Sequence, residues 1–270
     1  MTVFFIGAGP GDPDLITVKG ARLVEECPVI VYAGSLVPKA VIDRAHPDAL
    51  VYNSADMDLD DLTNVYLTAH EKGQNVARVQ TGDLSIYSSL AEQTRRLNEL
   101  GIDWKVVPGV SSFQASAAAL GQELTLPEKC QTIILSRASG RTPVPEKENL
   151  RALASHEATL CLFLSATLIR KVVRELSDVY PQDWPVAVVE KASHPEQRIF
   201  RATLGTIAQI MHDENIRSTA MIIVSKVLGD NDFIDSKLYD PTFSHACRKA
   251  RVVEEDVAES RTAEDDKSAD

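Results

Sequence analysis

Cysteine is scarce in this sequence, and basic residues are outnumbered by acidic ones. The 270 residues include four cysteines, Cys27, Cys130, Cys161 and Cys247, with no C-x-x-C pair and no zinc-ligand spacing. That excludes a disulfide framework and fits a reducing compartment. Cys161 lies in the apolar run LCLFL and reads as a buried small hydrophobe. Lys plus Arg is 28 against 39 for Asp plus Glu, a formal net charge of −11. A broad basic face for nucleic acid is thereby excluded, and attraction to anionic membrane surfaces is not expected. No apolar run approaches the ~18–20 residues that span a bilayer. The opening MTVFFIGAGPG shows neither a basic n-region nor a cleavage pattern, so no signal peptide is expected. The six histidines show no HExxH or similar spacing, so no metal site is expected. No nucleophile elbow or Ser/His/Asp arrangement stands out. A soluble, cytoplasmic protein is the expectation.

What is present is the balance of a globular chain, 44% hydrophobic and 25% charged. Its length holds at most two ordinary domains. The acid is unevenly spread: residues 251–270 carry 3 basic and 8 acidic side chains and few large apolar ones. That composition reads as a solvated, disordered extension. Through residue 110, short β-rich runs (VFFI, VIVYA, LVY, VARVQ, WKVV) alternate with helical patterns. The segment DLDDLTNVYLTAHEKG shows the pattern well. Leu59, Leu62, Val65, Tyr66 and Ala69 share one stripe, with acids at the start and Gly73 at the end. Such alternation predicts a mostly parallel sheet covered by helices, with strands buried on both faces. After the small-residue helix SSFQASAAALG the character changes. TIILS, ATLCLFLS, VAVVE, QRIFRATL and STAMIIV supply further strands, and two in succession near 186–204 imply some antiparallel pairing. The expected division is an α/β domain over 1–118 with a glycine-rich substrate loop, a second α/β domain over 119–245, and an acidic tail over 246–270.

The sharpest local feature is Gly7-Ala8-Gly9-Pro10-Gly11-Asp12-Pro13, between a strand and a helix. Glycines there permit positive φ and let backbone N–H groups approach a ligand. A dinucleotide fingerprint would place glycine where Asp12 stands and an acid at the end of the second strand, VIVYAGS, and neither is present. A Walker A loop would end G-K-[ST], which is also missing. A ligand-lining loop and a plain tight turn remain. Two more glycine turns follow strands, at Thr81-Gly82-Asp83-Leu84-Ser85-Ile86-Tyr87 and at Pro108-Gly109-Val110-Ser111-Ser112. Ligands collect at the carboxyl ends of parallel strands, so three such loops are expected to share one crevice. Asp83 reads equally as a ligand contact or as a cap for the following helix. Arg137 and Arg141, in SRASGRTP, read as a grip for carboxylates or as a solvated loop.

Taken together, FFIGAGPGDPDLITVKG, TGDLSIYS and VVPGVSSFQASAAALG resemble three signatures of the tetrapyrrole methylase family, over about residues 2–240. Leu84 stands where the family often has proline. IVYAGSLVP, LGQELTLPE and ILSRASGRTPVPE are closest to the subgroup that methylates precorrins in cobalamin biosynthesis. The resemblance implies two αβα domains with the ligand cleft between them, usually in a homodimer, and S-adenosylmethionine as methyl donor. It implies cofactor contacts from Pro10, Gly82, Asp83, Ile86, Ser111 and Ser112 in the first domain. Leu164, Ala192, Ala220 and Met221 match cofactor positions in the second, although Leu164 and Met221 by themselves read as core packing. Gly9 and Gly11 would face the tetrapyrrole, Asp12 is the candidate for orienting or deprotonating it, and Arg137 and Arg141 would meet its carboxylates, ahead of Arg78 and Arg95. The alternatives are a sister enzyme acting on another carbon or on a cobalt-containing substrate, or a non-catalytic tetrapyrrole-binding protein. A nicotinamide oxidoreductase is disfavoured by the broken fingerprint.

Overall fold

Apolar runs too short to be helices pair side by side, and amphipathic helices cover them. The computed structural model describes residues 1–229 and 233–250 of the chain. The acidic segment 251–270 lies outside the described residues.

The first sheet is wholly parallel. Its strands are β1 (Thr2–Gly7), β2 (Val29–Tyr32), β3 (Leu50–Asn53), β4 (Val76–Gln80) and β5 (Asp103–Val107), in the spatial order β3-β2-β4-β1-β5. Helices α1 (Val18–Glu26) and α2 (Lys39–Ile42) pack one face, where Leu23, Val24 and Val41 meet Ile6, Ile30 and Val79. Helices α3 (Leu59–Glu71) and α4 (Leu90–Glu99) pack the other, where Leu62, Tyr66 and Leu97 meet Val3, Phe5 and Val31. Covering on both faces is what near-continuous apolar strands require. The helix expected after the first glycine loop is preceded by a separate short turn. Asp12 caps a short 3-10 turn at Pro13–Leu15, and Thr17 caps α1 by accepting from Gly20 N–H at 3.1 Å.

The second sheet is mixed, in the order β6-β7-β10-β8-β9, with β6 (Ile133–Arg137), β7 (Thr159–Phe163), β8 (Pro185–Glu190), β9 (Arg198–Thr203) and β10 (Ala220–Val224). Only β6 and β7 pair in parallel, and β8 and β9 form the antiparallel pair expected near 186–204. Helix α5 (Ser112–Leu120) covers one face through Ala115 and Leu120 against Cys161, Ala187 and Ile223. Helices α6 (Leu150–Ala154), α7 (Ile169–Leu176) and α8 (Leu204–Asp213) cover the other. The boundary expected after residue 118 therefore falls inside a helix that belongs to the second sheet. We place the crossover instead at 108–111, between β5 and α5. Among the described residues, no helix is long and apolar enough to cross a membrane.

Candidate active site

Parallel pairing puts the carboxyl ends of β4, β1 and β5 next to one another, with Gly7 opposite Gln80 and Ile6 opposite Val107. The three glycine loops leave the sheet from these ends and meet. Gly9 and Gly82 exchange backbone hydrogen bonds, Gly82 N–H to Gly9 O at 2.7 Å and Gly9 N–H to Gly82 O at 3.3 Å. Gly9 has φ +82° and Gly82 φ +68°, left-handed conformations that glycine adopts without penalty. Gly7 is glycine for a different reason, since a Cβ there would lie 2.7 Å from both Gly109 N and Gly82 O.

Asp83 ties the second loop to the third. One carboxylate oxygen accepts Gly109 N–H at 2.9 Å, and the other accepts Ser85 N–H at 2.9 Å and the Ser85 hydroxyl. Burial pushes the Asp83 pKa up, but the Ser85 hydroxyl and the N–H groups of Gly109, Ser85 and Leu84 outweigh it and hold the carboxyl below its usual range. It does not cap a helix, because α4 begins only at Leu90. Leu84, where proline is common in the family, is buried in the first domain's core.

These loops floor a cavity of about 840 Å³ between the two sheets, within the range of small-molecule sites. Pro10, Gly82, Asp83, Ile86, Ser111 and Ser112 line it from the first domain and α5. Leu164, Ala192, Ala220 and Met221 line it from the strand ends of the second. All ten residues expected to contact the cofactor thus border one space. Leu164 is 71% exposed with φ +50°, which is not core packing, whereas Met221 is 3% exposed and packs in the core beneath α5. Tyr87, Ser89, Leu164, Lys191, Ser193 and Thr219 are all non-glycine residues at positive φ on or beside this wall. Backbone strain of this kind gathers at functional sites.

The substrate-side assignments fare differently. Asp12 does not line the cavity: its carboxylate accepts Asp14 N–H at 2.9 Å and caps the 3-10 turn. Gly9 and Gly11 lie behind Pro10, which alone of the first loop reaches the wall. The Arg137 guanidinium is taken up by the carbonyls of Thr142 and Pro143, at 2.9 and 3.0 Å, and Arg141 is exposed on the same loop. Neither lines the cavity, and Arg95 is exposed on α4.

Of the four arginines weighed from the sequence, Arg78 lines the cavity, and Arg217 lines it as well. Arg78 is 5% exposed and bonds the Ser54 hydroxyl at 2.9 Å, Gln93 Oε1 at 3.2 Å and Val31 O at 3.5 Å. Gln93 Oε1 also accepts the Tyr66 hydroxyl at 2.9 Å. No carboxylate among the described residues pairs with Arg78, and burial lowers its pKa. A buried cation beside a cavity with only neutral partners is suited to meeting an anion. The sequence did carry this signal: Arg78 and Gln80 are two polar residues, two apart, in a strand otherwise apolar and buried throughout.

His194, Phe163 and Ser116 also line the cavity and escaped sequence reading. Phe163, at the end of β7, contacts the Tyr87 ring at 5.4 Å across the interdomain gap. Gln80 Oε1 and Ser116 Oγ are buried without a partner among the described residues, and both residues border the cavity. Orphaned polar atoms, apolar walls and bent backbone at strand ends suit a ligand with an aromatic base, hydroxyls and a charged centre, as S-adenosylmethionine has.

Known proteins similar to this chain fall in one family. The family model described as tetrapyrrole (corrin/porphyrin) methylases matches residues 2–208. A precorrin-4 C(11)-methyltransferase of Pseudomonas aeruginosa is 50% identical over 92% of this chain and 99% of its own length. A cobalt-precorrin-4 C(11)-methyltransferase of Methanocaldococcus jannaschii is 48% identical over 92% and 96%. Among solved structures, a cobalt precorrin-4 methyltransferase superposes with a TM-score of 0.83 at 44% identity, covering 85% of this chain and 96% of that one. A Thermus thermophilus uroporphyrin-III C-methyltransferase complexed with S-adenosylhomocysteine gives a TM-score of 0.69 at 27% identity, covering 84% and 99%.

Proposed function

The chain belongs to the tetrapyrrole methylase family, and we propose that it transfers the methyl group of S-adenosylmethionine to ring carbon 11 of precorrin-4, giving precorrin-5 in cobalamin biosynthesis. One observation carries the reading: all ten residues expected to contact the cofactor border a single cavity whose floor is the three glycine loops. Relatives that share about half of the sequence over nearly its whole length bear the name of that activity.

Bound S-adenosylmethionine supplies a methyl group already electrophilic on its sulfonium. The protein's part is alignment and exclusion of water. The Asp83–Gly109 bond fixes two loops at a constant spacing. Leu164 presents apolar surface, and Gly82, Ser111 and Ser112 line the cavity from the first domain and α5. Arg78, held by neutral partners at the first-domain end, meets a carboxylate of the macrocycle. This role replaces the one expected of Arg137 and Arg141.

We also place the enzyme in the cytoplasm as a homodimer. Three of its four cysteines are buried and unpaired, and Phe233, Ile234, Leu238, Tyr239 and Phe243 expose apolar surface in one segment. Sedimentation of the purified protein tests the dimer.

Turnover with methyl-labelled S-adenosylmethionine and precorrin-4, metal-free and cobalt-loaded in parallel, tests the activity. Label at carbon 11 by NMR is expected. Label at another carbon would make it a sister enzyme, and tight tetrapyrrole binding without transfer would make it a carrier.

A further inference from the structure

We propose that His194 is the group that accepts the proton released when the macrocycle is methylated, an inference that rests on the methyl-transfer reading above. Transfer of a methyl cation to an enamine-like ring carbon forms a carbon–carbon bond from the ring's π pair, while the carbon–sulfur pair stays on sulfur. The neighbouring ring nitrogen becomes an iminium, and neutrality returns when its N–H proton leaves. Something at the junction of cofactor and substrate must take that proton.

His194 lines the cavity where the turn after β8 docks on the first glycine loop. The turn after β8 holds Lys191 at φ +48° and Ser193 at φ +66°, bent conformations fixed by four bonds. Lys191 N–H donates to Thr219 O at 2.7 Å, His194 N–H to Lys191 O at 2.9 Å, Ser193 N–H to Gln197 Oε1 at 2.8 Å, and Gln197 N–H to His194 O at 3.0 Å. Ser193 Oγ then accepts Asp12 N–H at 2.9 Å, docking the turn on the first glycine loop. The result sets the imidazole against Gly11, where a Cβ would come 2.5 Å from Nε2. Gly11 has no positive φ, and the histidine ring occupies the space a Cβ would take there. His194 lines the cavity close to Pro10 and Ala192, and neither ring nitrogen bonds any described residue.

The other acids of the wall are committed or remote. Asp83 is saturated by Gly109 and Ser85, and Asp58 caps α3 through Asp60 and Asp61 N–H. Glu92 stands on the first turn of α4, next to Gln93, which bonds Arg78. An imidazole also suits the task electrostatically, since a carboxylate would repel an acidic macrocycle. Histidine is the side chain best matched to proton transfer near neutral pH.

The test compares the full-length wild type with His194→Gln and His194→Ala in single-turnover methyl transfer to precorrin-4. Both variants should be slower by about 100-fold or more, the usual scale of general-base loss, and added imidazole should restore part of the His194→Ala rate. Calorimetric affinities for S-adenosylhomocysteine and, without methyl donor, for precorrin-4 should stay within about 3-fold. The His194 ring resonances of the wild type should shift when precorrin-4 is added alone. A His194→Gln rate within about 3-fold of wild type, absent imidazole rescue, or parallel loss of both affinities would overturn the proposal. Wild-type transfer in the same assay separates this result from a failure of the methyl-transfer reading.

Discussion

Asp83 and Gly109 are 26 residues apart in sequence, yet the carboxylate of one accepts the backbone N–H of the other at 2.9 Å. That bond joins the loop after β4 to the loop after β5 across the intervening end of β1, and it bears on cofactor affinity and on stability alike.

Asp83→Ala should lower S-adenosylhomocysteine affinity at least tenfold and cost about 1–3 kcal/mol of stability, the scale of hydrogen bonds to a charged group. The pH dependence has a definite sign. The folded carboxyl lies below its usual range, so the unfolded chain binds the extra proton. The stabilisation is therefore complete above about pH 4 and is lost as pH falls through the depressed value. Urea melts of wild type and variant at pH 7 and pH 3 should converge at the lower pH, and a constant difference would refute the assignment.

Gly109→Ala and Gly73→Ala should separate crowding from backbone strain. A Cβ at Gly109 would collide with Gly82 O and lie 2.8 Å from the Gly7 Cα, whereas at Gly73 it meets nothing within 4 Å. Gly73, at φ +65°, should cost about 1–2 kcal/mol for the left-handed conformation and leave ligand affinity intact. Gly109→Ala should weaken S-adenosylhomocysteine binding as well, measured by calorimetry on both variants.

Arg78→Met should weaken precorrin-4 binding by roughly 10- to 100-fold, the scale of about 1.5–3 kcal/mol for a charge-assisted bond, with S-adenosylhomocysteine affinity within about 3-fold. Arg141→Ala, on an exposed loop, should change neither by more than about 3-fold. The reverse ranking would restore the arginines of the 137–141 loop as the carboxylate grip.

Alkylation at pH 8 should modify one thiol in the native protein and four in denaturant, counted by mass spectrometry. Cys247 is exposed, whereas Cys27, Cys130 and Cys161 are buried. Burial pushes Cys27 and Cys161 up to about 12, so neither supplies thiolate at pH 8. Rapid native labelling of a second cysteine would contradict the packing described.

Much of the architecture was legible before folding. Strand and helix identity follows from apolar period, and the antiparallel pair near 186–204 followed from two strands with no room for a helix between them. The convergence of three glycine loops followed from their shared place at strand ends. The allegiance of α5 was not legible, because a run of small residues has no strong stripe to show which sheet it covers. The charged side chains were least legible of all. SRASGRTP looks like a carboxylate grip in one dimension, but its Arg137 folds back on its own loop. Asp12 looks like a base and caps a turn.

The sequence by itself determined which segments are strands, which loops carry glycine, and which family the signatures resemble, because these depend on local periodicity and backbone freedom. Only the tertiary structure decided that Arg78 rather than Arg141 faces the cavity and that His194 lies against Gly11. Both outcomes depend on strands far apart in sequence having paired: alternation in VARVQ sets Arg78 and Gln80 on one face, but not what that face meets.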